Sequence, residues 1–205
     1  MRLDRVVCIL LPLLFACDIS VNKSLNVPDG ETRSSGLTTV NGNISVGDDC
    51  TIHGTCRAVN GRIKIGQNSS VEDLQTVNGS ITVASTVEVF GDIASINGSV
   101  SCASGTKIEE EISTVNGTVD LTATSLGRDI TTVNGDINLE RGSVVRGSII
   151  VKGDSEKGSL EIRISGNSTV KGDILVDRDR RNVIVYLSSG GSVQGQIENA
   201  QIVEE

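Results

Sequence analysis

The sequence predicts an all-β protein, a single-stranded parallel β-helix of about seven or eight coils, each 18–25 residues long. Three observations carry this expectation. The string Thr-Val-Asn-Gly, or a close relative, occurs six times, at successive spacings of 19, 18, 19, 19 and 18 residues. Aromatic residues are nearly missing from the 205: there are two Phe, one Tyr and no Trp, so Val, Ile, Leu, Ala and Thr must fill the core. Gly, at 23 residues, punctuates the chain at steps too short to hold a helix.

Residues 1–16 read as an export signal. Arg2 and Arg5 give a positive start, with Asp4 between them, and residues 6–16 form an apolar run of 11. That length suits a signal core and is too short to span a bilayer. The run ends in Leu14-Phe15-Ala16-Cys17. This resembles the lipobox of bacterial lipoproteins, where a small residue precedes a Cys that is lipidated and becomes the mature N-terminus. The resemblance implies lipid attachment at Cys17, a membrane as partner, and a periplasm-facing place in the bacterial cell envelope. An ordinary cleaved signal is the alternative. Asp18 directly after the Cys resembles the inner-membrane retention signal of enteric lipoproteins. Loss of Arg2, Arg5 and Asp4 moves the net charge from -8 to about -9, which disfavours nucleic acid as a partner. The lack of aromatics also disfavours base stacking.

Residues 17–37 read as a polar tether with a turn at Pro28-Asp29-Gly30. Within it Ile19, Val21, Leu25 and Val27 are candidates for a short capping strand.

Residues 38–205 read as the solenoid. Apolar columns keep the period of the repeat. One holds Ile44, Ile63, Ile81, Val100, Val119 and Ile137; another, two residues on, holds Val46, Ile65, Val83, Cys102, Leu121 and Leu139. The spacing of two is strand alternation. A third column runs through Ile52, Val71, Val89 and Ile108, and a fourth through Cys56, Leu74, Ile93 and Ile112. With the Val of each Thr-Val-Asn-Gly, about five apolar residues per coil are expected to face inward. Asn and Gly tolerate positive φ, so the Asn-Gly pairs are expected at tight corners. Asn41, Asn60, Asn78, Asn97, Asn116 and Asn134 would then stack, with amides bonded from coil to coil. The alternative is a ligand-binding row. A second motif, apolar-x-Gly-x-Ile, marks the later coils at Val145–Ile149, Val170–Ile174 and Val193–Ile197. There the period lengthens to 25 and 23 residues, and the extra length maps to the charged turns 154–158 and 177–182.

Over residues 38–200 the Gly-punctuated units, β-branched columns and Val-x-Gly-x-Ile corners resemble bactofilins, polymer-forming bacterial cytoskeletal proteins. The resemblance implies a right-handed triangular β-helix that joins end to end, hence self-association. Most bactofilins lack an export signal, and this chain departs from them there. The Asn-Gly-Asp-Ile style also resembles envelope domains described as adhesins. The spacing of six in Val77, Val83 and Val89 is shared with left-handed β-helices, so the left-handed form stays as the alternative winding.

Candidates for chemistry are few. His53 is the single His and falls on a corner; Glu109-Glu110-Glu111 is an acidic corner. A Cys-x-x-Cys or paired-His zinc pattern is not found. No catalytic residue, metal, cofactor or small-molecule substrate is therefore expected. In an oxidising compartment Cys50 and Cys56 are candidates for a disulfide across a short loop, while Cys102 is expected as a buried thiol. The expected function is a non-enzymatic lipid-anchored envelope scaffold, assembling with itself or with envelope components. The alternative is a surface adhesin or binding module that uses a flat solenoid face.

Overall fold

The computed structural model describes residues 18–153, 159–177 and 182–204. The chain winds as a parallel β-solenoid with three faces. Among the described residues the faces carry ten, ten and nine strands, which makes about nine turns. One coil illustrates the rest: Leu74–Asn78 lies on the first face, Ile81–Val83 on the second and Glu88–Val89 on the third. Each strand pairs in parallel with its counterpart one coil away. Leu74 aligns with Ile93 and Asn78 with Asn97, Ile81 with Val100, and Val89 with Ile108. Stacked strands lie about 4.8 Å apart, so like residues sit on like.

The core follows from alternation. Ile63 and Ile65 point inward and are buried, while Lys64 between them is exposed. The columns that begin at Ile44, Val46, Ile52 and Cys56 are buried as far as Val185, Ile164, Val170 and Ile174. Each fully buried Val, Leu or Ile contributes roughly 1.5–3 kcal/mol, which offsets the missing rings. Phe90 is half exposed, on the corner between the third and first faces.

Three expectations need correction. First, the expected tether with its candidate capping strand is a full coil. Asp18–Ser20, Leu25–Val27 and Thr32–Arg33 each add a strand to one face, and Leu25 and Val27 stack on Ile44 and Val46. Its polar composition conceals a register that needs only two aliphatic residues. This coil raises the count above seven or eight.

Second, the Val of Thr-Val-Asn-Gly does not face inward. In Leu74–Asn78 the buried residues are Leu74 and Thr76, while Gln75 and Val77 are only partly covered. Alternation counted from Leu74 puts Thr76 inside and Val77 outside. The hydroxyls of the inward residues bond locally: Thr39 donates to the Lys23 carbonyl at 2.9 Å, and Ser95 to the Gly98 carbonyl at 2.8 Å.

Third, the Asn-Gly corners do not use positive φ. In the coils that carry Asn-Gly, positive φ recurs instead at the corner between the second and third faces, at Asp49 (56°), Asn68 (55°), Thr86 (60°), Gly105 (81°) and Ala123 (45°). Glycine in the Asn-Gly pairs answers a different demand. A Cβ on Gly79 would overlap the Gly61 carbonyl oxygen, and one on Gly98 would overlap that of Gly79.

In the long coils the second face carries five-residue strands, Leu160–Ile164 and Val183–Leu187, in register from Leu160–Val183 to Ile164–Leu187. The Arg163 guanidinium stands 5.2 Å from the centre of the Tyr186 ring. The charged turns at 154–158 and 178–181 lie outside the described residues.

Candidate binding face

The outward residues of the first face form two rows. One is Thr38, Arg57, Gln75, Ala94, Ser113 and Thr131; the other is Val40, Val59, Val77, Ile96, Val115 and Val133. Between them runs a groove of about 340 Å³, floored by Ala58, Thr76, Ser95 and Thr114. It crosses six coils, roughly 24 Å at the strand spacing.

One wall of the groove is the aliphatic row from Val40 to Val133, and several polar groups of the floor and the other wall are engaged elsewhere. Thr76 donates its hydroxyl to the Gly61 carbonyl at 3.2 Å, and Thr114 donates to the Thr132 hydroxyl at 3.1 Å. The Arg57 guanidinium lies along its row, donating to Gln75 Oε1 at 2.6 and 3.1 Å. Ala94 and Ser113 are small, which lowers that wall in the middle coils. The apolar row has a defined extent. The pairing of Ser20 with Thr39 sets Val21, which is 60% exposed, beside Val40 at one end. At the other end, the pairings of Thr132 with Val151 and Val151 with Val176 place Lys152 and then Asp177 after Val133.

The Asn row borders this face. Asn60 Nδ2 donates to Asn41 Oδ1 at 2.8 Å, Asn78 to Asn60 at 2.8 Å, Asn97 to Asn78 at 2.9 Å, Asn116 to Asn97 at 2.9 Å and Asn134 to Asn116 at 3.2 Å. Asn41 continues the row to Asn22 at 2.7 Å. From Asn41 to Asn116 each amide both donates and accepts along the stack.

The other sequence candidates are scattered. Cys17 lies outside the described residues. His53 is exposed, and its backbone N–H donates to the Arg33 carbonyl at 2.8 Å. In the acidic corner, Lys107 bonds Glu109 at 2.5 Å and Glu88 at 3.0 Å, and Arg128 bonds Glu110 at 2.7 Å. The hydrogen bond from Lys107 holds the Glu109 carboxyl below its usual range. Among the described residues no three or more His, Cys, Asp or Glu gather as a metal site.

The disulfide between Cys50 and Cys56 is not formed. Cys50 is a free, buried thiol whose Sγ donates to the Pro28 carbonyl at 3.1 Å and lies 3.4 Å from the Asp48 carbonyl. It occupies the inward position just after the positive-φ corner, where Ser69, Thr106 and Thr124 stand in other coils. Cys56 belongs to a different column, between Leu37 and Leu74. Cys102 is a free buried thiol, and burial pushes its pKa up to about 12.

The fold and this face define a β-solenoid repeat protein with an apolar groove along one side. Comparison with protein-family models, with curated proteins and with solved structures finds no match to the chain. The groove escaped sequence reading because its Val row was counted as core. The signal that could have found it is the phase of that row, one residue off the inward column.

Proposed function

We propose that the chain is an exported, non-enzymatic scaffold of the bacterial cell envelope, tethered by lipid on Cys17. The fold supports this reading with a ladder whose first described strand begins at Asp18, directly after the Cys. A solenoid is a rigid spacer and offers long faces for contact. The last described coil also carries apolar surface suited to end-to-end self-assembly: Ile202 is half exposed, and Val193 and Ile197 are only partly covered. Fractionation of cells fed a labelled fatty acid tests the reading. Wild type is expected in the membrane fraction with label, and Cys17→Ser in the soluble fraction without it. Unlabelled, soluble wild-type protein would overturn it.

A second reading, a binding module, is favoured by one specific observation, the apolar groove on the first face. Protease reaching the folded protein on intact cells would place that face outward and favour an adhesin over a periplasmic scaffold.

A further inference from the structure

We propose that the groove on the first face holds an acyl chain carried by Cys17. This rests on the reading of Cys17 as the lipidated N-terminus.

The shape and chemistry of the groove select the occupant. It lies on the face of a sheet, whose backbone groups are used in the parallel ladder, so a peptide strand would find no edge to extend. The hydroxyls of Thr76, Ser95 and Thr114 are bonded to the chain's own oxygens, and Arg57 is bonded to Gln75. Those groups would gain little from a sugar, and the opposite wall, from Val40 to Val133, offers it no hydrogen bond. A second copy is disfavoured by area. A strip about 24 Å long and one side chain wide falls far short of the ~800 Å² per partner of a stable interface. A polymethylene chain needs length and apolar cover and no hydrogen bonds, which is what the row from Val40 to Val133 offers.

The place where the chain enters the fold selects the source. Cys17 is one residue ahead of Asp18–Ser20, the edge strand of this same sheet. It is four residues ahead of Val21, which continues the groove's apolar row beside Val40. An acyl chain on Cys17 has to run about 13 Å along this strand, four residues, and pass one strand spacing, about 5 Å, to lie along the valines. At the far end Lys152 and Asp177 interrupt the row.

Magnitudes set the conditions. A buried methylene contributes about 0.8 kcal/mol. A groove open on one side keeps only part of that, so a bilayer wins wherever one is in reach. The groove therefore shields the chain in water and releases it at the membrane.

The test uses the lipidated mature protein and Cys17→Ser, both freed of detergent, with N-phenyl-1-naphthylamine as an apolar dye and intact mass as a check on acylation. Cys17→Ser should bind the dye in its empty groove. The lipidated protein should bind it about tenfold more weakly, a difference of about 1.4 kcal/mol. Adding Ile96→Glu to Cys17→Ser should abolish binding, and Ile96→Ser should weaken it while changing the outer face less. Equal dye binding by the lipidated and Cys17→Ser proteins would place the chain elsewhere and overturn the proposal. So would free fatty acid recovered from the lipidated protein, since the groove would then serve a separate lipid. No dye binding by folded Cys17→Ser would overturn the groove itself. An unmodified Cys17 mass would remove the lipidation reading, and the proposal with it, and mass alone distinguishes that failure from the others.

Discussion

Gly61 stacks so closely on Gly42 that a Cβ on Gly61 would overlap the Gly42 carbonyl oxygen. The same closeness recurs from Gly61 to Gly79, Gly98, Gly117 and Gly135. It fixes the tightness of one corner of the solenoid, and the obstacle is backbone, which cannot rotate away. Gly98→Ala should therefore destabilise the protein by about 2 kcal/mol or more through overpacking. Urea unfolding with an unchanged slope measures this.

Thr86 sits at φ 60° at the corner between the second and third faces, where Asn68 and Gly105 occupy equivalent places. The left-handed conformation costs a β-branched residue about 1–2 kcal/mol. Thr86→Asn should stabilise the fold by about 1 kcal/mol, read as a rise in Tm of a few degrees.

Ile81 is fully buried, while Val77 stands on the outer face. Ile81→Ala should cost about 2–5 kcal/mol. Val77→Ala should cost less than about 1 kcal/mol. Equal costs would return the Val column to the core.

Cys102 is a buried thiol pushed up from 9.0 to about 12 by desolvation. Between these values the unfolded chain ionises and the folded one does not. The unfolded state then binds fewer protons, so stability falls as pH rises above 9.0, by up to about 1.4 kcal/mol per unit. Below pH 9.0 the contribution is flat. Cys102→Val should remove this share of the alkaline slope, measured by urea midpoints across the range.

What was legible in the sequence was whatever repeats with strand phase. Ile63 and Ile65 announce an inward pair two residues apart, and their columns are buried from Ile44 to Val185 and from Val46 to Ile164. The Asn row was legible in the same way, because a shared period places equal residues on equal corners. What escaped is where residue type and phase disagree. Val77 looks like core by composition, yet alternation from Leu74 turns it out, and Thr76 goes inside because its hydroxyl finds the Gly61 carbonyl. The Asn-Gly corner invites a positive φ, yet the neighbouring coil demands glycine there through closeness alone. The first coil was legible in part: Leu25 and Val27 marked a capping strand, while the strand at Thr32–Arg33 carries no aliphatic residue to announce it.

The central claim is that the solenoid is exported and held by lipid at Cys17, and the mass of its N-terminal peptide tests it most directly. The account predicts a mature chain that begins at Cys17 and carries acyl groups on that residue. A chain from cells that begins at Met1, or an unmodified Cys17, would contradict it.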